Sequence, residues 1–166
     1  MSIADRLRGS ALLLLIAIVA AVTVSPARAH GDNKRLIDDV FGNIYTAQRK
    51  NGCTADPKLD GRLVDAARRH TVDVLNHHDI NGDIGSDGSS TQDRARDAGF
   101  ISKVSETIAI NPALAISGIE ILNQWWYDPV ARATMQDCSN TAIGVWSDNS
   151  LDRSVVVAVY GQPGTP

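Results

Sequence analysis

The sequence predicts an α+β domain in which helices pack against a central antiparallel sheet, and three observations carry that prediction. Apolar residues recur at helical spacing through the first half of the chain. Two runs rich in β-branched residues close it, TAIGVW at 141–146 and SVVVAVYG at 154–161, separated by the polar turn SDNSLDR. The length, 166 residues, suits one domain with a core of its own. Helices first and a buried terminal hairpin last give layers of helix on sheet.

Asp32 is placed to cap a first helix running to about Lys50, with Leu36, Val40, Ile44 and Ala47 on one face and Gly52 as its stop. A second helix follows DPKLDG, where Leu63, Ala66, Ala67, His70 and Val74 form a stripe ending near His77. His70 lies on that stripe and is expected at the core edge with a hydrogen-bonded ring. The loop HHDINGDIGSDGSS (77–90) comes next, then a short helix capped by Ser90 or Thr91 and ended by Gly99. The segment 101–110 reads as mixed and strand-like. Pro112 suits the first turn of a helix with Leu114, Gly118, Ile121, Leu122 and Trp125 as apolar positions. Asp128 and Pro129 start a further short helix. The last run is apolar on both faces, which predicts an inner strand covered on each side, and the tail GQPGTP is expected to fray.

The first 29 residues are expected to be removed. Arg6 and Arg8 precede the run ALLLLIAIVAAVTV, and Ala27 and Ala29 supply an A-x-A ending. These are the parts of a secretory signal peptide, and the run is short for a membrane span. The expected product is one domain over 30–166 with no stable membrane span. Losing Asp5, Arg6, Arg8 and Arg28 leaves 13 basic and 18 acidic residues, a net charge of −5. A mildly acidic exported domain without a basic run has no footprint for nucleic acid or anionic lipid. Two cysteines in an oxidising compartment, without CxxC spacing, predict one disulfide, Cys53–Cys138.

The loop 77–90 carries the conspicuous chemistry. Asp79, Asn81, Asp83 and Asp87 fall at positions 1, 3, 5 and 9 of a twelve-residue calcium loop, but Ile84 replaces its turn glycine and Ser90 its bidentate glutamate. That pattern supports at most a weak calcium module, against a polar turn whose Asx side chains bond their own backbone. Neighbouring helical residues point about 100° apart, so His77 and His78 are poorly placed to chelate one ion. No G-x-S-x-G elbow is present.

Several segments together resemble one family. LVDAARRHTVDVL resembles the L-x-x-A-x-x-H-x-x-D-M helix of the SCP-like domain of the CAP superfamily. IGSDGSSTQDRARDAGF is similar to the bacterial H-T-G-S-D-G-S segment, with its following arginine and A-G-Y. SETIAI stands in the place of G-E-N-I-A, WWYDPVAR in that of W-x-x-S-P-x-H-R, and AIGVW and VAVYG where the closing strands fall. NGC and DC resemble the cysteine positions of small exported actinobacterial members. The resemblance implies an α–β–α sandwich and a secreted, extracellular or cell-envelope setting.

It also implies a cleft, with departures. Family members hold a divalent metal with the histidine of H-T-G-S-D-G, the glutamate of G-E-N-I-A and the histidine of S-P-x-H-R. Those positions here are Asp83, Glu106 and Ala131. Two carboxylates without imidazole favour a harder ion or share a proton, so no cofactor is expected beyond a weak divalent ion on Asp83 and Glu106, with Asp79 or His78 beside them. Asp87, Arg94 and Arg132 match retained positions and are expected to line the cleft. Trp126 is expected as the exposed aromatic and Trp125 as core. The expected function is a non-catalytic binding module for a lipid-like ligand, an envelope component or a protein partner. The alternative is a peptidase-like or esterase-like hydrolase using Asp83 and Glu106.

Overall fold

The structure is a computed structural model that describes residues 30–112 and 114–164; the expected signal peptide lies outside them. Helix α1 (His30–Lys50) leads through the two-residue strand β1 (Lys58–Leu59) to α2 (Gly61–Asn76) and α3 (Thr91–Asp97). Strand β2 (Val104–Asn111), α4 (Gly118–Tyr127), α5 (Pro129–Gln136) and the hairpin β3 (Ala142–Asn149) and β4 (Ser154–Gly161) complete the chain. The sheet order is β1-β3-β4-β2. The three long strands pair antiparallel as expected, while β1 pairs parallel with β3.

Strand alternation divides the core into two layers. Val156, Ala158 and Tyr160 of β4 meet Val40 and Ile44 of α1, Ile121 and Trp125 of α4 and Met135 of α5. Val155, Val157 and Val159 point the other way, onto Leu63, Ala66, Ala67 and Val74 of α2 and Ala95 of α3. All eight residues of β4 are buried, as an inner strand requires. The result is an α–β–α sandwich.

Helix starts follow their caps. The Asp60 side chain accepts from Arg62 N at α2, Ser90 and Asp93 form a capping box at α3, and Asp128 accepts from Val130 N and Ala131 N at α5 behind Pro129. Gly52 and Gly99 stand at positive φ just beyond α1 and α3. Three expectations need correction. Helix α1 already includes Asp32, which is therefore not its cap. Helix α4 starts six residues after Pro112 because Ser117 and Glu120 form a capping box there, leaving Leu114 outside it and 53% exposed. The tail is held as far as Gly164, with Gln162 N donating to Lys103 O at 2.9 Å and its side-chain amide reaching Asp137 and Asn140.

One glycine sets the distance between α2 and the sheet. A Cβ on Gly144 would lie 2.1 Å from the Leu63 carbonyl carbon and 2.3 Å from Val64 N, both backbone atoms that cannot swing aside. Gly144→Ala is expected to destabilise the fold by about 3 kcal/mol, the upper end of ordinary overpacking. Gly42 of α1 has nothing within 4 Å of such a Cβ, and Gly42→Ala is expected to gain roughly 0.5–1 kcal/mol from helix propensity. Urea unfolding of the two variants checks both signs.

Candidate functional site

Three residues from three elements meet under the sheet. His70 sits on the apolar stripe of α2, Arg94 on the inward face of α3, and Glu106 on β2 in the row it shares with Val104, Ile108 and Ile110. All three side chains are closed off, at 0%, 2% and 1% exposure. His70 Nδ1 lies 2.7 Å from Glu106 Oε1, and Arg94 Nη2 donates to Glu106 Oε2 at 3.1 Å. The carboxylate therefore has a partner on each oxygen. Arg94 Nη2 approaches the same His70 nitrogen at 2.9 Å, so Nδ1 meets the carboxylate and the guanidinium together, and its tautomer decides which of the two contacts is the hydrogen bond. His70 Nε2 is buried and has no hydrogen-bond partner among the described residues.

The loop 77–90 closes this cluster with its main chain. Arg94 Nη1 donates to Ser89 O at 2.7 Å, and Nη2 lies 2.8 Å from Asp83 O. The loop is in turn pinned by carboxylates. Asp73 accepts from Ser86 N at 2.7 Å and from Ser86 Oγ at 2.5 Å. Burial pushes the Asp73 carboxyl up, but the Ser86 hydroxyl and amide outweigh it and hold the group below its usual range. Asp87 is held well below the usual carboxylate range by hydrogen bonds from Ser89 and then by the Arg69 guanidinium, 2.8 Å away.

Buried, paired with Arg94 and bonded on both oxygens, Glu106 cannot reach a substrate as general acid or base. Asp83 enters the cluster through its carbonyl, and its side chain is exposed, so the expected Asp83–Glu106 pair does not form. Asp79 and His78 are also exposed. Among the described residues no three His, Cys, Asp or Glu side chains converge to hold a metal ion. Arg132 is exposed and lies over the Trp126 ring at 5.8 Å. Trp126 is partly buried against the core and Trp125 is 2% exposed, so the outward aromatic is Tyr127, at 81%.

Two broad depressions stand out among the described residues. One, of about 470 Å³, lies between α2 and α3, with Asp65, Arg68, Arg69 and Asp97 on its walls. The other, of about 490 Å³, lies between α1 and α4, with Asp38, Asp39, Asn43 and Ile119. Both are open to solvent; charged side chains stand on the walls of the first beside Val72 and Ala98, and the second is mainly polar.

No protein-family model matches the chain, and no curated protein matches it in sequence. Solved structures do. An outer surface protein of Borrelia burgdorferi superposes with a TM-score of 0.68 at 14% identity, over 79% of this chain and 95% of that one. An extracellular protein of Bacillus anthracis containing an SCP domain gives 0.67 at 15% identity, over 79% of this chain and 41% of that one. The fold is that of the SCP domain. A cysteine-rich secretory protein of Staphylococcus aureus gives 0.57 at 9% identity, over 79% of this chain and 40% of that one.

On this SCP scaffold the divalent metal implied by the family resemblance does not fit the residues present. Glu106 has both oxygens engaged, Ala131 has no donor atom, and the Asp83 side chain faces solvent. The guanidinium of Arg94 supplies the positive charge that Glu106 needs. His70 is the member of the cluster that pattern reading places in the core and outside the site.

Proposed function

We propose that this SCP domain is secreted and acts as a non-catalytic binding domain whose partner is a protein outside the cell. One observation carries the reading. Glu106, the sole family ligand that keeps its identity, is sealed at 1% exposure between His70 and Arg94, and so is unavailable to metal or substrate. The Cys53–Cys138 disulfide and the signal-like N-terminus support export. No described helix is long and apolar enough to cross a membrane. Depressions this open to solvent favour a macromolecular surface over a lipid-like ligand, which needs an enclosed apolar pocket.

The test is a melting curve of the chelator-stripped protein with calcium, magnesium, manganese and zinc added singly, beside a panel of peptide and ester substrates. Ligand at about 100 times its Kd stabilises a fold by roughly 2.7 kcal/mol, a shift of several degrees. The expected result is no such shift and no turnover. A shift abolished by Asp83→Ala, Asp79→Ala or Glu106→Gln, or turnover abolished by Glu106→Gln in a folded variant, would overturn the reading.

A further inference from the structure

Strand β2 forms one edge of the sheet, and its outer side is already engaged at both ends by side-chain amides. Gln124 of α4 accepts from Ile110 N at 3.3 Å and donates to Ile110 O at 3.2 Å. Gln92 of α3 accepts from Val104 N at 3.2 Å and donates to Ser102 O at 3.0 Å. Outward pointing at Val104 and Ile110 fixes the ladder, because main-chain groups alternate along an antiparallel strand. Glu106 and Ile108 therefore turn their N–H and C=O outward as well. The Glu106 side chain is 1% exposed, yet the residue keeps accessible surface, so that surface belongs to its main chain.

We infer that this window is a docking site for an extended peptide segment of a protein partner, added as a short fifth strand antiparallel to β2. The seated amide of Gln124 argues for that occupant. It exchanges both bonds with one residue, as the residue opposite does in a hydrogen-bonded antiparallel pair, so the edge holds a peptide-like group in that geometry already. Continuing the register, two partner residues separated by one would pair with Ile108 and then Glu106, making four main-chain bonds. Affinity in strand addition comes from such bonds. Gln92 and Gln124 cap the edge on either side and limit the added strand, which also protects a long edge from pairing with copies of itself. The buried Arg94–Glu106–His70 cluster ties the same stretch of β2 to α2 and α3 under the sheet, so little ordering is required on binding.

This inference rests on the binding reading above and gives it a partner class. The experiment selects linear heptapeptides displayed on phage against the purified protein, synthesises the strongest binder, and follows backbone amides by NMR. Shifts and exchange protection are expected at the Glu106 and Ile108 amides. N-methylation of the peptide amides that face β2 is expected to weaken binding about 100-fold, with the alternate amides tolerant, and Gln124→Ala, which frees Ile110, to tighten it roughly tenfold. Ile108→Pro, which removes one outward donor, is expected to weaken it. Failure to select a peptide, or shifts confined to another surface, overturns the edge and leaves the binding reading standing. Concentration-dependent self-association that protects the same two amides overturns the peptide in favour of a second copy. Turnover lost in Glu106→Gln overturns the binding reading without touching the edge.

Discussion

Arg94→Met is expected to lower stability by about 3–5 kcal/mol, because it takes away the guanidinium that pairs with the buried Glu106 carboxylate. The guanidinium also satisfies the carbonyls of Ser89 and Asp83, so its loss frees the loop that covers the cluster. Methionine fills much of the same volume, which separates the charge effect from a simple cavity. Glu106→Leu alone is expected to be costly for the converse reason, a buried guanidinium without its counter-charge. The double variant removes both charges and is expected to be more stable than the sum of the two losses predicts, the mark of direct coupling. Urea unfolding of the four proteins gives the cycle. A loss under about 1 kcal/mol for Arg94→Met, the range of an exposed ion pair, would show that the cluster is solvated and that Glu106 is open to chemistry after all.

The pairing of His70 with Glu106 shows where sequence reading stops. Each signal is present singly. His70 falls on the apolar stripe of α2, and in VSETIAIN the period of two puts Glu106 in the row of Val104, Ile108 and Ile110. A charged residue in an inward row demands a buried partner, but nothing local says which residue 12 or 36 positions away will supply it. The resemblance points to Glu106 and to Arg94 as lining a cleft, whereas the fold closes that region with the backbone of 83–89. Helix boundaries are more legible because their causes are local. Asp60, Ser90 and Asp128 cap helices within three residues of themselves, and the start of α4 departs from expectation only because the Ser117 and Glu120 box outranks Pro112 as its signal. The two-residue β1 has no pattern to read. Its existence depends on Lys58 and Leu59 lying beside Ala142 and Ile143 once α2 is packed.

Removing the disulfide is expected to lower stability by about 4–5 kcal/mol while leaving the folded structure unchanged. Cys53 and Cys138 are 85 residues apart, so the bond closes most of the domain into one loop and withholds that entropy from the unfolded chain. The folded state has other ties between the same two segments. Gln48 Nε2 donates to Asn140 O at 2.9 Å and Asn51 Nδ2 to Gln136 O at 3.0 Å, which keep the end of α1 against the turn after α5 without the covalent link. A Cys53→Ala/Cys138→Ala variant should therefore keep its near-ultraviolet circular dichroism and melt on the order of 15 °C lower. It should also show a larger denaturant slope, because its unfolded chain exposes more surface. A drop in melting temperature accompanied by loss of the near-ultraviolet signal before the transition would instead mean that the bond holds the native packing together. A drop of under about 1 kcal/mol would mean that the unfolded chain already keeps these segments close, so the cross-link has little entropy left to remove.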